Sequence, residues 1–223
     1  IPVQLIKEMR DRLGFETVIT GYGLTESTGV ITMCRHDDDP ETIATTSGRS
    51  LPGMTVKICR ADGSEAGRDE PGEIMVRGYN VMLGYLDDPD ETAAVIAADG
   101  YLATGDIGTL DTRGYVRITD RKKDMVIVGG FNVYPAEVER LLCQHDAVAQ
   151  AAVIGMADAR LGEVCKAFVV PRQGASIDLE TLRLWCRERI AIFKVPRAFE
   201  VCEALPMNAS GKVQKFKLRE SSA

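Results

Sequence analysis

Residues 118–139, ITDRKKDMVIVGGFNVYPAEVE, constrain the fold of this chain more than any other stretch. A charged turn, Asp120 to Asp124, precedes an apolar run from Met125 to Val128. β-Branched side chains fit a pleated, packed surface, so the run predicts a buried strand. Gly129 and Gly130 end it, where the backbone needs positive φ or where something must approach closely. A helix follows from Pro135, because proline suits the first helical turn. Val138, Leu141, Leu142 and His145 then fall on one face of it. Composition alone supports a plainer alternative, in which the charged turn simply joins two domains.

At 223 residues the chain can hold one or two domains with real cores. A net charge of -6 argues against bulk nucleic-acid binding and predicts no attraction to a membrane surface. The six cysteines lie far apart, with no C-x-x-C and no nearby histidine pair. Reduced thiols in a cytoplasmic protein fit that pattern better than a disulfide or metal framework. No apolar run approaches the ~20 residues of a membrane span, and no signal peptide is expected. The chain opens on Ile1-Pro2 rather than Met, so it is expected to be a piece of something longer.

The first residues, 3 to 13, carry apolar side chains at helical spacing, and Phe15 to Thr20 reads as a short strand. The run continues into Gly21-Tyr22-Gly23-Leu24-Thr25-Glu26-Ser27, a turn able to hold phosphate on backbone N–H groups. It is no dinucleotide fingerprint, since Glu26 stands where the last glycine would be, and taken alone an ordinary tight turn explains it better. Four short β-rich runs follow: Thr55 to Cys59, Glu73 to Arg77, Leu102 to Thr104 and Tyr115 to Thr119. Their regular turn punctuation suggests a small β-barrel or sandwich. Within it Thr104-Gly105-Asp106 presents a carboxylate suited to ribose hydroxyls, although many such aspartates only cap turns. After residue 124 the pattern is α+β, with strands at 125–128, 148–154, 164–170 and 198–202. Helices are expected at 135–145 and 178–190, the second capped by Asp178. The tail presents Lys212 after Gly211 on a loop. It is not a Walker A loop, because position 206 is Pro and position 213 is Val.

Taken together and in order, GYGLTE, TGD, DRKKD, GGFNVYPAEVE and GK resemble the adenylate-forming enzymes. That superfamily includes acyl-CoA synthetases, luciferases and peptide-synthetase adenylation domains. The resemblance covers essentially the whole chain. It implies an α/β end of the large nucleotide-binding domain with its small β-barrel over 1–122, then a mobile α+β domain over 123–223. The family's Ser/Thr/Gly-rich phosphate loop is not among these residues, so a C-terminal part is implied. Apolar residues such as Val18 and Ile19 should then be left partly uncovered, and association, including a homodimer, is the expectation.

The resemblance also assigns roles. Tyr22 and Gly23 match the adenine-facing turn, Thr25 a hydroxyl on phosphate, and Glu26 the acidic residue that helps hold Mg2+. Asp106 and Arg121 match the ribose contacts, and Lys123 takes the hinge position. Gly129 and Gly130 match the loop lining the pantetheine tunnel, and Lys212 the lysine bridging carboxylate and phosphate during adenylation. ATP, AMP, Mg2+, CoA and a carboxylic acid are the implied ligands. The phrases VMLGYLDDPDETAAVIAADGYLATGDIG and GGFNVYPAEVE look like bacterial fatty-acid:CoA ligases. They look especially like the branch that activates the propanoate left on degraded steroid rings. An adenylating enzyme with another second nucleophile, or a non-catalytic free-standing domain, stays open on the residues.

Overall fold

The computed structural model describes residues 3–209 and 211–221. The chain forms two compact units, Ile1–Lys122 and Lys123–Ala223. In the first, helix α1 (Val3–Asp11) and helix α2 (Pro40–Thr45) enclose a small core of Ile6, Val18, Cys34 and Ile43. Three short strands, β1 (Gly21–Tyr22), β2 (Thr32–Met33) and β3 (Arg49–Ser50), make an antiparallel sheet. The main sheet is a four-stranded antiparallel meander of β4 (Met54–Cys59), β5 (Gly72–Gly78), β6 (Leu102–Leu110) and β7 (Val116–Arg121). Helix α3 (Pro89–Val95) interrupts the chain between β5 and β6. Alternating residues Ile58, Ile74, Val76, Leu102 and Val116 form its core, which Tyr22 joins from β1.

The four β-rich runs are the four strands, but the expected barrel does not form. Among the described residues β4 and β7 do not pair, and the sheet stays open. The outer edge of β7 is taken elsewhere: Ser47 N–H donates to the Val116 carbonyl at 2.8 Å, and Val116 N–H to that of Gly48 at 2.9 Å. An edge satisfied by a passing segment has no free ladder left for β4. The run Phe15 to Thr20 is not a strand either. Val18 is only 7% exposed, covered by the α1–α2 core, so the expectation that it lies uncovered fails. Ile19, at 39%, is exposed as expected.

The second unit is built on one mixed sheet. Strands β8 (Val126–Val128) and β9 (Phe131–Val133) form a hairpin, followed by helix α4 (Pro135–Leu142). Long strands β10 (Val148–Asp158) and β11 (Gly162–Pro171) pair antiparallel, and β12 (Ala198–Val201) adds to β11 in parallel. Helix α5 (Leu179–Arg187) is capped by Asp178, whose carboxylate accepts the Glu180 N–H. Helix α6 (Lys215–Glu220) follows the tail loop.

Both faces of β10 and β11 are covered. Val153, Ala167 and Val169 face α4 and α5, packing with Val138, Leu142, Leu182 and Cys186. Ala152, Ile154 and Phe168 face the other way, against Leu205 and Leu218. A strand buried on both faces reads as a continuous apolar run rather than an alternating one. That is why AAVI and AFVV are legible as core strands.

Candidate functional site

In the first unit the GYGLTE turn connects β1 to β2. Thr25–Ser27 forms a 3-10 turn, closed by Ser27 Oγ accepting the Leu24 N–H at 3.2 Å. Gly23 is required here by space. A Cβ on it would lie 2.2 Å from the Gly29 carbonyl oxygen, backbone that cannot move aside. Thr25 is exposed on this turn. Glu26 is half-buried, and its Oε1 accepts the Tyr85 hydroxyl at 2.9 Å.

Asp106 reaches the same neighbourhood through a distortion of β6. The pairing of β5 with β6 shifts between Glu73 and Met75, and that of β6 with β7 between Ile107 and Gly108. Gly105 sits at φ +69° in the left-handed region, and Thr104 Oγ1 donates to the Ile74 carbonyl at 2.8 Å. Such bulges re-aim a side chain at the edge of a sheet. Asp106 then pairs in register with Arg121 across to β7.

Its carboxylate has two partners. Tyr22 donates its hydroxyl to Oδ2 at 2.7 Å, and Arg121 Nε lies 3.5 Å from Oδ1. The Asp106 side chain is 15% exposed and that of Arg121 58%, so the acid is held in place while the cation stays free to meet a ligand. Burial pushes the Tyr22 phenol well above its ordinary range. A Thr104 hydrogen bond and the Arg121 charge pull it down, and the Asp106 carboxylate pushes it up. Tyr22 therefore stays a donor at all physiological pH. The structure thus brings Tyr22, Asp106 and Arg121 into one constellation of an oriented carboxylate beside a cation.

In the second unit Gly129 and Gly130 are the two-residue tip of the β8–β9 hairpin, with φ +57° and +88°. Two successive positive φ values are what the favoured two-residue hairpin turn demands. The sequence reading foresaw the positive φ but missed β9. The tip borders a groove of about 230 Å³ lined by Phe131, Arg160, Leu161, Phe193 and Arg197 among others. Phe131 and Phe193 stack with ring centroids 4.8 Å apart, and Phe131 is 60% exposed. Lys212 is exposed on a loop fixed by Asn208: Lys212 N–H donates to Asn208 Oδ1 at 2.8 Å, and Asn208 N–H to the Lys212 carbonyl at 2.9 Å. Lys123 is exposed at the start of this unit.

Several residues with a role in this arrangement escaped the sequence reading. Tyr85 orients Glu26. Glu73 accepts the Gly105 N–H at 3.2 Å and so supports the turn before Asp106. Phe131, Phe193, Arg160 and Arg197 flank the Gly-Gly tip. The pairing of aromatic and basic side chains near a glycine turn was the available signal, but they lie up to 66 residues apart in sequence. Among the described residues no group of three or more His, Cys, Asp or Glu side chains is placed to hold a metal ion. A single carboxylate such as that of Glu26 is compatible with Mg2+, which commonly takes one or two carboxylates and completes its sphere with phosphate oxygens and water.

This chain belongs to the adenylate-forming enzyme family. Residues 1–86 match the AMP-binding enzyme model, and residues 137–212 match the AMP-binding enzyme C-terminal domain. Among curated proteins it is 56% identical over 220 residues to 3-[(3aS,4S,7aS)-7a-methyl-1,5-dioxo-octahydro-1H-inden-4-yl]propanoyl:CoA ligase of Rhodococcus jostii. It is 51% identical to the protein of the same name from Mycobacterium tuberculosis. In both cases the match covers 99% of this chain and 41% of the relative, so the chain spans about two fifths of their length. Among solved structures, ATP-bound MatB from Rhodopseudomonas palustris matches with a TM-score of 0.88 and 37% identity, over 98% of this chain and 43% of that one. Among the described residues no helix is long and apolar enough to cross a membrane.

Proposed function

We propose that this chain is the C-terminal portion of a cytoplasmic, ATP-dependent acyl-CoA ligase. The enzyme activates a carboxylic acid as its acyl-adenylate and passes the acyl group to CoA. The first unit is the end of the nucleotide domain, and the second, from Lys123, is the mobile domain. The observation that carries the reading is the Tyr22–Asp106–Arg121 constellation. Two carboxylate oxygens, oriented by a buried phenol, suit a pair of ribose hydroxyls. Thr25 offers a hydroxyl to phosphate from a rigid turn, and Glu26 is the residue that would hold Mg2+. That ion supplies charge neutralisation at the leaving pyrophosphate.

In the first half-reaction a carboxylate attacks the α-phosphate, and negative charge gathers between two anions. Lys212, a point charge on a flexible stem, sits between them and can leave afterwards. Its fixed backbone loop and exposed side chain suit that task. In the second half-reaction a thiol must approach the carbonyl. Gly129 and Gly130 leave room, and the aromatic and basic groove beside them suits the nucleotide end of CoA. Rotation at Lys123 exchanges the two arrangements. The indane-propanoate ligases above support an acid of that class, a propanoate on a fused-ring skeleton left by steroid breakdown.

The test separates the half-reactions in the full-length enzyme. Lys212→Ala should slow acyl-adenylate formation about 100- to 1000-fold, the cost of one charge-stabilising group at such a site. It should leave thioester formation from supplied acyl-adenylate nearly intact. Lys123→Pro should do the reverse, by fixing φ where the backbone must turn. Equal loss of both halves in Lys212→Ala would make Lys212 a structural residue and remove its catalytic role.

A further inference from the structure

The two neighbours of Lys123 are each held by an ion pair, and the two pairs belong to different units. Lys122 Nζ lies 2.7 Å from Glu73 Oε2, and the Glu73 side chain is largely buried. The other oxygen of that carboxylate accepts the Gly105 N–H, so Glu73 is anchored on β6 as well. On the far side, Asp124 Oδ1 accepts from Arg219 Nη2 at 2.7 Å, and Asp124 too is largely buried. Arg219 rides on α6, which buries Leu218 and ties Lys215 Nζ to Glu139 Oε1 of α4 at 2.7 Å. Lys123 between them is exposed.

We propose that Glu73 and Arg219 are positioning residues that confine the turning of the backbone to Lys123. Glu73 fastens Lys122 to the first unit, and Arg219 fastens Asp124 to the second. The proposal deepens the reading of Lys123 as a hinge and rests on it. A pivot one residue long limits the motion of the second unit to rotation about the φ and ψ of that residue. A pivot spread over several residues would let the loop of Lys212 wander, and small misplacements of a reacting group cost large factors in rate. Isolated surface ion pairs contribute little to overall stability. These two differ because each ends on a largely buried carboxylate and they bracket a single residue. Glu73 also joins two parts of the same mechanism, since it supports both the turn that presents Asp106 and the residue before the pivot.

Backbone amide ¹⁵N relaxation and hydrogen exchange on this chain test the idea without nucleotide or acid. In the unaltered chain ¹⁵N relaxation dispersion should show slow exchange at Lys123 and little at Lys122 and Asp124. Glu73→Gln should loosen Lys122 and Gly105 but not Asp124. Arg219→Gln should loosen Asp124 and Met125 but not Lys122. Amide exchange at the loosened positions should rise on the order of tenfold. The charge-reversed pair Asp124→Arg with Arg219→Asp should restore the original profile, which a merely stabilising contact elsewhere would not do. If Arg219→Gln unfolds the second unit, Arg219→Lys, which keeps the charge, should fold and leave Asp124 only slightly looser. Mobility spread evenly over 120–126 in the unaltered chain would overturn the proposal, as would identical effects of the Glu73 and Arg219 variants. Failure of the adenylation assays would leave this result unaffected, so the two readings fail separately.

Discussion

Replacing Tyr22 with Phe removes one hydroxyl from the core of the first unit and leaves the ring in place. The lost bond is the 2.7 Å donation to Asp106, between a Tyr22 residue 8% exposed and a carboxylate that is largely buried. A hydrogen bond to a charged group contributes about 1.5–3 kcal/mol net. Asp106 retains Arg121 at 3.5 Å, so the lower end applies, about 1.5–2 kcal/mol. For a unit of this size each kcal/mol moves the melting midpoint by roughly 4 °C, which predicts a fall of roughly 6–8 °C. The pH dependence follows chiefly from the burial of the same hydroxyl, with the Asp106 bond adding to it. Folding raises the phenol above its unfolded value of about 10, so its stabilisation is complete below about pH 10. It is lost as pH rises above that value, because the unfolded chain releases the proton first. Tyr85 and Tyr115 are also raised, so the difference between the two proteins isolates Tyr22. Thermal unfolding of this chain and Tyr22→Phe, followed by near-UV circular dichroism at about pH 8 and about pH 11, makes the comparison. The variant should melt lower at the first pH, and the gap should shrink at the second. Midpoints equal within about 1 °C at pH 8, or a gap unchanged by alkali, would refute the reasoning.

Gly23→Ala should destabilise the first unit by about 1–3 kcal/mol through overpacking against the Gly29 backbone, measured by urea unfolding, and should weaken AMP binding with it. Cys143 is exposed while Cys165 and Cys186 are buried, their thiols pushed up to about 12 and about 11 by burial. A disulfide reagent at neutral pH should therefore modify Cys143 first and reach Cys165 and Cys186 only on unfolding, which mass mapping will show. This chain alone should bind AMP weakly and form no acyl-adenylate, since positioning supplies much of the rate and the chain spans two fifths of its relatives.

Much of the second unit was legible because its signals are local. Asp178 caps α5, and the apolar runs of β10 and β11 are long enough to be strands buried on both faces. Helices α2 and α3 were missed although each begins with Asp-Pro followed by an acidic residue. Asp39 and Asp88 accept backbone N–H groups of the first turn in both cases, so the signal was present but the helices are short. Strand β9 escaped because Phe131-Asn132-Val133 has no length of its own and exists by pairing with β8. The openness of the meander was not legible at all. It depends on Ser47 and Gly48 reaching Val116, a contact between residues nearly 70 apart that no local pattern announces. The same holds for the site. Asp106 stood out as a carboxylate after a Thr-Gly turn, but its dependence on Tyr22, 84 residues away, is a matter of packing.

The central claim is that this chain serves a two-step ligase, and acid-dependent pyrophosphate release tests it most directly. The full-length protein is given ATP, Mg2+ and a panel of carboxylic acids, first without CoA and then with it. The account predicts pyrophosphate release that depends on the acid and is greatest for fused-ring propanoates. It also predicts that CoA is consumed as the thioester once it is added. No acid-dependent release, or an acyl-adenylate that forms but never passes to CoA, would contradict it.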